Sequence, residues 1–372
     1  MLLWFIQRHC VHAECPGLVG VGPDLYAGGS HKMKMYQFVI RRLLLLIPVL
    51  IGVSIIVFAL TRMTGDPAAA YINPKMTPAQ IEAVKEQYHF NDPAYIQYFY
   101  WLNGVVHGDW GWSTSVGEPV TQAIGQFFPA TFELTVFAMV FAVIIGVALG
   151  TTSAIRRNKP FDHTTRVVSL IGVSLPIFVL GLILIYLFAY SWPIFPQGGR
   201  FSDSYIFAPG GIPHITGFLL IDSAWVGNFQ LFGDALWHLI LPAITLAFST
   251  IAVITRIMRN SMLEVLGLDY VKTARAKGLP EKTVTRKHAR KNAMIPTTTV
   301  IGLAFGGLLG GAVLTESIFN WPGLGRYSTQ AIGGQDIPAI LGFVLITAII
   351  YVLVNLVVDV LYAYLDPRVR LE

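Results

Sequence analysis

The sequence predicts an all-α membrane protein with six transmembrane helices and a long helical external segment between the first two. Of its 372 residues, 54% are hydrophobic and only 13% are charged, against a usual charged share of about 25%. The mean hydropathy is +0.60. Six apolar runs reach the roughly 20 residues that a helix needs to cross a bilayer core of about 30 Å. These observations exclude an ordinary soluble enzyme, although the chain is long enough for two soluble domains.

Residues 1–34 precede the first apolar run, and we predict a disordered extension or a mis-assigned start. Both cysteines of the chain, Cys10 and Cys15, lie there, so neither a disulfide framework nor a thiolate metal site is expected. Met33 and Met35 stand just before the first apolar run, which makes a start codon assigned too far upstream an open alternative. The transmembrane domain is therefore expected to cover 35–372.

The six spans follow one another along that region. They are about Phe38 to Leu60, Leu134 to Ile155, Val167 to Tyr190, Ala235 to Ile254, Thr297 to Leu314 and Ala339 to Val358. The fifth carries Gly302, Gly306 and Gly310 in place of large side chains, which predicts close packing inside a helix bundle. A seventh apolar run, Ile206 to Val226, is interrupted by prolines and glycines, and we reject it as a span.

The distribution of basic residues predicts the orientation. Of the 26 Lys and Arg residues, 21 fall on the side that holds both termini, and 5 fall on the other side. Because basic residues accumulate in cytoplasmic loops, both termini are predicted to be cytoplasmic. The basic residues lie where this topology demands, and no recognisable binding fold accompanies them, so nucleic acid is not an expected partner.

The external segment, residues 62–129, is predicted to be folded. Thr77 is a plausible N-cap for one helix, and a second helix follows with an apolar stripe from Tyr95 to Leu102. Trp110 and Trp112 fit an aromatic belt at the membrane surface. Two interfacial helices packed on the bundle and a docking surface for a partner both remain open.

The cytoplasmic segment 258–296 is the most informative part of the chain. Tyr270 and Ala274 fall close to one helical face, and Gly278-Leu279-Pro280 predicts a helix stop, with glycine as a left-handed cap and proline opening the next helix. A second basic helix over about Lys282 to Asn292 follows. A short amphipathic helix closed by glycine suits contact with another subunit, but a helix lying on anionic headgroups fits these residues equally well.

The stretch DYVKTARAKGLPEKTVTRKHARKNAMIP, Asp269 to Pro296, resembles the cytoplasmic EAA loop of permease subunits of ABC importers, in particular the dipeptide/oligopeptide/nickel class and its first, B-type permease. Lys272-Thr273-Ala274 occupy the Glu-Ala-Ala positions, a departure typical of the peptide branch. The likeness covers nearly everything from Met35 to Arg370. Other blocks that carry it are GDPA at Gly65 to Ala68, HGDWGWS at His107 to Ser113, SLPIF at Ser174 to Phe178, ESIFNWPGLGR at Glu316 to Arg326 and LVVDVLYAYLDPRVR at Leu356 to Arg370.

This resemblance implies the type I ABC importer permease architecture, with the helix that ends at Gly278 as a coupling helix seated in a cytoplasmic ATPase. The residues implied in that contact are Asp269, Tyr270, Thr273, Ala274, Arg275, Ala276, Gly278, Leu279 and Pro280. Ala274 and Gly278 are expected to be the close-contact positions, where added bulk would clash. Arg275 and Lys277 either pair with acidic groups of the ATPase or hold the cytoplasmic orientation.

The resemblance also implies the partners: a second homologous permease subunit, two ATP-binding cassette ATPases, an extracytoplasmic solute-binding protein and the lipid bilayer of a prokaryotic cytoplasmic membrane. Peptides are the expected cargo, with nickel complexes, glutathione or sugars as alternatives. The sequence has no GxxxxGK[ST] phosphate loop, so ATP and Mg²⁺ are expected on the partner subunits and no cofactor or enzymatic activity in this chain.

Ionisable residues inside a bilayer are functional candidates by default, because burying them is costly unless they are paired or hydrated. The candidates for the translocation path or its gate are Glu133, His238, Gly306, Gly310, Asn355 and Asp359. For Glu133 and Asp359 we favour snorkelling or a structural hydrogen bond over contact with solute. For His238 we favour a hydrogen bond to a neighbouring helix. No catalytic set and no set of metal ligands is visible.

Two other functions are alternatives to the importer permease. An intramembrane serine protease would use Ser54 or Ser174 with His238, but the sequence around Ser174 lacks the second glycine of a nucleophile elbow. A self-contained channel or secondary carrier would be expected to show an internal repeat, and the two halves show none. Both are disfavoured relative to the importer permease.

Overall fold

The computed structural model describes residues 35–64, 68, 72, 75–207 and 211–365, so the predicted extension at 1–34 lies outside the described residues. Within them the regular secondary structure is helical apart from one hairpin of two two-residue strands, in agreement with the all-α prediction. The helices are α1 (Met35–Thr64), α2 (Pro78–Gln87), α3 (Ala94–Val106), α4 (Val120–Ile155), α5 (Pro160–Ser174), α6 (Ile177–Ile185), α7 (Leu219–Trp225), α8 (Phe229–Leu266), α9 (Asp269–Ala276), α10 (Glu281–Thr283), α11 (Arg290–Ile318), α12 (Leu324–Gly333) and α13 (Ile337–Leu365). The π-helical turn Tyr186–Ser191 follows α6, a second one, Val284–Ala289, joins α10 to α11, and a 3-10 turn covers Asp203–Tyr205. In the hairpin, β1 (Trp112–Ser113) pairs antiparallel with β2 (Glu118–Pro119).

Five helical runs in the described part of the chain are long and apolar enough to cross a membrane: α1, α4, α8, the run from α10 into α11, and α13. They extend past the predicted spans. The helix that contains the predicted span from Leu134 begins earlier, at Val120, so the last ten residues of the predicted external segment 62–129 are helical and continuous with that span. The second basic helix continues into the fifth span with Pro296 inside it, because a proline removes one helical hydrogen bond without forcing the helix to end.

The third predicted span, Val167 to Tyr190, is wrong as a single continuous helix. It is divided between α5 and α6, which are bent by 107° relative to each other. Leu175 is extended there, with φ −79° and ψ 123°. The cause is Pro176, which disfavours a helical conformation in the residue before it and has no N–H to continue the ladder. The pair supplies a sixth crossing if both halves belong to one span.

Of the two helices in the predicted external segment, α3 lies against the C-terminal part of α1. Thr77 caps α2 as predicted: Gln80 N donates to Thr77 Oγ1 over 3.4 Å, and Thr77 N donates to Gln80 Oε1 over 2.8 Å, which is a capping box. Helix α3 contacts α1 through Tyr98, whose ring packs edge-on against Phe58 with centroids 5.4 Å apart. Helix α12, between the fifth and sixth spans, has no counterpart in the prediction.

The core of the bundle is the contact between α4 and α8. A Cβ on Gly146 would lie 2.7 Å from Ile254 Cγ2, and one on Gly150 would lie 2.6 Å from the carbonyl oxygen of Thr255. Two glycines four residues apart therefore let the backbones approach closely, as in other membrane helix pairs. Among the candidate spans in the described residues, helix α8 is the most deeply buried, and it leads directly to the loop that contains α9.

Candidate functional site

The predicted coupling loop forms a short helix, α9, held against the C-terminal end of α8 and the start of α11. Val271 is fully buried and Ala274 is nearly so. Both belong to an apolar cluster that includes the end of α8 and the start of the α11 run. The other members are Ala154, Met258, Met262, Val265, Val284, Ala289 and Ala293. Burial of this face fixes α9 on its own chain and turns its opposite face outward.

The outward face of α9 is polar, and its charged side chains form exposed ion pairs within the chain. Lys272 Nζ lies 2.9 Å from Asp269 Oδ1, and Arg275 Nη2 lies 2.7 Å from Glu281 Oε1. Arg275 therefore pairs within its own chain. Exposed ion pairs of this kind contribute about 0–1 kcal/mol, so the apolar face rather than the charges holds the helix in place.

Gly278 ends α9 as the sequence predicts. Its φ is +74°, in the left-handed region. Its N–H donates to Arg275 O over 2.9 Å, and Leu279 N donates to Ala274 O over 3.3 Å, which satisfies two carbonyls at the end of the helix. A Cβ at Gly278 would meet no atom within 4 Å. Bulk added here would project away from the chain.

Ala274 differs from the prediction. It was expected beside Gly278 on the contact surface, but it is 7% exposed and packs inward. The reason is that so short a helix needs an apolar face against its own chain to keep its position. The predicted contact residues that do remain exposed are Asp269, Tyr270, Thr273, Arg275, Ala276, Gly278, Leu279 and Pro280.

Tyr270 links α9 to the helix that enters the fifth span. Asn292 Nδ2 donates to Tyr270 Oη over 2.6 Å, and Tyr270 Oη lies 3.3 Å from His288 O. Because Val271 packs on the cluster around Met258, α9 is attached to α8 as well. A displacement of α9 is therefore transmitted to two long helices at once.

A buried carboxylate, Asp162, joins the C-terminal ends of α4 and α8 to the N-terminal end of α5. It accepts hydrogen bonds from Arg259 Nε at 2.6 Å and Arg259 Nη2 at 2.9 Å. Ser153 Oγ at 2.6 Å and Asn158 N at 3.0 Å also donate to it, and Arg166 Nε lies 3.8 Å from Asp162 Oδ2. Arg259 directly follows Met258 of the apolar cluster, so this ion pair braces the helices on which α9 rests.

At the opposite end of α4, the predicted path residue Glu133 is engaged in an ion pair. Arg200 Nη2 donates to Glu133 Oε2 over 2.6 Å, and Leu220 N donates to Glu133 Oε1 over 2.8 Å. Arg200 Nη2 also donates to Gly217 O over 3.0 Å. Glu133 thus connects the loop between α6 and α8 to α4.

His238 lies under the same loop. Its Nδ1 is 3.1 Å from Gly198 O, and its Nε2 is 3.3 Å from Ser202 Oγ. Ser202 Oγ donates to Asp234 Oδ1 over 2.6 Å, so its proton is directed to a carboxylate rather than to the imidazole. Ser54 Oγ donates to Ile51 O and contacts Tyr98 Oη, both at 2.8 Å. These partners do not form the nucleophile–base pair that the protease alternative requires.

The remaining path candidates lie on α11 and α13. A Cβ on Gly306 would come within 2.6 Å of Tyr351 Cε2, so Gly306 permits close packing of α13, whereas a Cβ on Gly310 would meet nothing within 4 Å. Asn355 is half-buried on α13. Asp359 lies in the same helix, and its side chain is outside the described residues.

Comparison with known proteins identifies the family of the chain. Residues 142–371 match the family described as "Binding-protein-dependent transport system inner membrane component", and residues 35–135 match its N-terminal region. The chain belongs to this family. The resemblance seen in the EAA-like loop is thereby confirmed, and the protein is a multi-pass membrane protein of a transport family rather than of an enzyme family.

Curated relatives of this inner membrane component align over most of its length. The dipeptide transport system permease protein DppB of Escherichia coli strain K12 is 45% identical over 338 residues, 90% of this chain and 99% of that protein. The di/tripeptide transport system permease protein DppB of Pseudomonas aeruginosa strain UCBPP-PA14 is 44% identical over 340 residues, 90% and 99% of the two chains. The oligopeptide transport system permease protein AppB of Bacillus subtilis strain 168 is 37% identical over 338 residues, 90% and 100% of the two chains.

The sequence did not reveal two buried carboxylates, Asp162 and Glu316, that connect several helices. Asp162 follows Lys159-Pro160 in the first turn of a helix, a position that suggests a cap but does not reveal Arg259. Glu316 stands in the ESIFNWPGLGR block and is fully buried. It accepts hydrogen bonds from Thr131 Oγ1 at 2.6 Å and from Gly325 N at 2.7 Å. Glu316 therefore ties α4 and the end of α11 to the start of α12.

Proposed function

We propose that this chain is one permease subunit of an ATP-driven importer that carries short peptides across the cytoplasmic membrane of a prokaryote. A second, homologous permease supplies the other half of the path. Two ATP-binding cassette ATPases act on the cytoplasmic side, and an extracytoplasmic binding protein delivers the cargo. ATP and Mg²⁺ belong to the ATPases, because this chain carries no phosphate-binding loop.

The observation that carries this proposal is the construction of α9. Its apolar face rests on α8 and on the run into α11, its polar face is exposed, and it ends at Gly278 with open space beyond. An ATPase cleft that receives the exposed face can move α9 as the two ATPases close on ATP. The attached helices then rock between two arrangements, provided that ATP binding favours one arrangement over the other.

Peptides are the cargo that the relatives support. The names of the relatives from E. coli, P. aeruginosa and B. subtilis refer to dipeptides, di/tripeptides and oligopeptides respectively. Nickel complexes, glutathione and sugars remain the alternatives that an uptake assay separates. Competition of labelled dipeptide uptake by each of these solutes identifies the cargo class.

Both termini and α9 are proposed to be cytoplasmic, on the strength of the skewed distribution of Lys and Arg. A single cysteine introduced at Lys277, in a background with Cys10 and Cys15 replaced by serine, tests this orientation. We expect a membrane-impermeant maleimide to label Lys277→Cys only after the membrane is opened. A cysteine at Lys85, on the predicted external helix, is the control that should be labelled in intact cells.

The sharpest test of the coupling assignment is Gly278→Trp in the complete transporter. Gly227→Trp is the matched control: Gly227 also has a left-handed φ, +72°, and a Cβ there also meets nothing within 4 Å, but it follows α7 in the external loop. Backbone strain is then similar in both variants, about 1–2 kcal/mol.

We expect Gly278→Trp to insert normally but to lose ATPase co-purification and at least nine-tenths of dipeptide uptake. The control should retain ATPase co-purification. If Gly278→Trp keeps both the ATPases and uptake, α9 is not the coupling element.

A further inference from the structure

A cavity of about 530 Å³ opens on the external side, between the outer end of α1, helices α2 and α3, the hairpin, and the start of α13. This volume lies within the range of about 300–1,000 Å³ that is usual for small-molecule sites. The aromatic residues that line it are Phe58, Tyr88, Phe90, Tyr100, Trp101, Trp110 and Trp112. Two fixed charges of opposite sign, Arg62 and Asp109, line it as well.

The rings that line the cavity also contact one another. Phe58 packs against Trp101 with ring centroids 5.8 Å apart. His89 stacks on Tyr100 at 3.6 Å, and its Nδ1 lies 2.8 Å from Asp92 Oδ2. These contacts hold the rings in place and keep the space between them open.

An aromatic belt at the membrane surface explains part of this arrangement. Tyr100 and Trp112 are each about half exposed, as residues of a belt are. A belt does not require the rings to line a concave space, nor does it place two opposite charges among them. Trp110 is also partly buried, with Nε1 donating to Val105 O over 3.1 Å. The concave shape and the paired charges therefore call for another explanation.

The two charges are presented differently. Asp109 is exposed, and its Oδ1 accepts a hydrogen bond from Gly111 N over 3.0 Å. No ion pair involves Asp109 within the part of the chain that the structure covers, so its other oxygen can receive a cation. Arg62 lies over the rings of Phe58 and Phe90 at 4.9 and 5.7 Å. Stacking uses the face of the guanidinium, and five N–H donors project from its edge, enough to bind an anion besides other partners.

We propose that this cavity binds a small zwitterion, with its ammonium group against Asp109 and the surrounding rings and its oxyanion against Arg62. Aromatic faces attract cations and also accept apolar side chains, so the site suits a molecule with both features. Two sources share this chemistry. One is a short peptide with free termini, which rests on the function proposed above. The other is the ethanolamine phosphate headgroup of an outer-leaflet lipid, which does not.

Binding can be measured on the full chain in nanodiscs made of phosphatidylcholine and phosphatidylglycerol, which contain no ethanolamine lipid. The probe is L-alanyl-L-phenylalanine, and the readout is tryptophan emission, because three tryptophans line the cavity. We expect a saturable change, weakened at least tenfold by Asp109→Asn and by Arg62→Gln. Asp203→Asn is the matched control, since Asp203 is an exposed external carboxylate outside the cavity.

The same titration with O-phosphoethanolamine separates the two sources. If the dipeptide binds and nanodiscs containing phosphatidylethanolamine do not weaken it, the ligand is the peptide. If O-phosphoethanolamine binds with the same dependence on Asp109 and Arg62, and ethanolamine lipid blocks the dipeptide, the ligand is the lipid headgroup. Binding of N-acetyl-alanyl-phenylalanine amide as tight as that of the free dipeptide overturns the proposal. So does the absence of a saturable change with both probes.

Failure of this site and failure of the proposed function give different results. A complete transporter that imports dipeptides while its permease shows no saturable binding of either probe contradicts the site alone. A chain that binds the dipeptide but supports no ATP-dependent uptake of any peptide contradicts the function alone.

Discussion

Buried or half-buried carboxylates hold both sides of the bundle, but in different ways. On the side proposed to be cytoplasmic one carboxylate, Asp162, contacts Ser153, Asn158 and Arg259. On the side proposed to be external separate carboxylates each hold one piece of chain. Their contacts are Glu133 with Arg200 and Leu220, Asp222 with residues 215–217, Asp234 with Ser202, and Glu316 with Thr131 and Gly325.

The difference suits the two ends to different tasks. A single shared ion pair makes the ends of α4, α5 and α8 one unit, and that unit also carries the apolar seat of α9. A push on α9 should therefore move several helices together. On the other side the contacts are spread over several carboxylates. Glu133 and Asp222 are linked through Arg200 and Gly217, whereas the contact between Ser113 and Asp336 shares none of these partners and should be released independently. We call Asp162 a hub if its removal disturbs α4, α5 and α8 together. We call a contact on the other side a fastener if its removal disturbs only the segment that it holds.

The largest effect is expected from Asp162→Ala. It leaves the Arg259 guanidinium nearly buried without its partner, and breaking a buried pair in this way costs about 3–5 kcal/mol. We expect a strongly lowered thermal unfolding midpoint for the purified chain in detergent, together with reduced ATPase co-purification.

Asp269→Ala is the control for that variant. Asp269 also pairs with a basic residue, Lys272, but its side chain is 95% exposed, so its removal should change the midpoint little. Equal shifts for the two variants would show that Asp162 is not a hub.

The sequence predicts the parts of this fold that depend on local physics. Apolar runs long enough to cross a bilayer predict the long helices. The helix start at Thr77 and the helix end at Gly278 can be predicted because each residue satisfies backbone groups only a few residues away. The bend at Leu175-Pro176 was also open to prediction, since proline restricts the residue before it. The close approach at Gly146 and Gly150 has an equally local signal in their four-residue spacing.

Long-range partners could not be predicted in the same way. Asp162 and Arg259 are 97 residues apart, and Thr131 and Glu316 are 185 apart. Nothing local distinguishes these carboxylates from solvated ones, because the cause of their burial is the packing of other helices. Ala274 shows the same limit, since the direction it faces depends on where α8 and α11 pass.

An intermediate effect on the free energy of unfolding is expected from the contact between Glu133 and Arg200. Glu133→Gln and Arg200→Gln should each cost about 2 kcal/mol, the range of a hydrogen bond to a charged group. The double variant should cost clearly less than the sum, because both changes remove the same contact. Denaturant unfolding of the four proteins gives the coupling energy.

Ser113→Ala provides the independent comparison. Ser113 Oγ donates to Asp336 Oδ2 over 2.7 Å and fastens the hairpin rather than the loop that Arg200 holds. Combined with Glu133→Gln, its effect should add within about 0.5 kcal/mol. Strong coupling between these two sites would mean that the external end, too, behaves as one unit.

The smallest effect is expected at Asp222, and it should depend on pH. Burial alone would raise the pKa of this carboxyl, but hydrogen bonds from Thr216 Oγ1 and from the N–H groups of Thr216, Ile215 and Gly217 lower the pKa below its ordinary value of 3.8. A carboxyl with a lowered native pKa stabilises the fold fully above pH 3.8 and loses that contribution as the pH falls through the native value. Wild type should therefore unfold at a higher temperature than Asp222→Asn at pH 7, and the gap should shrink as the pH is lowered below 4. A gap that stays constant down to pH 3 contradicts this origin.

The same measurement in an Asp162→Ala background tests whether the two sides of the bundle are coupled. Because Asp222 holds only its own loop, the difference in unfolding temperature between wild type and Asp222→Asn should depend on pH in the same way in that background. If the effect of Asp162 extends to the other side of the bundle, this pH dependence should change.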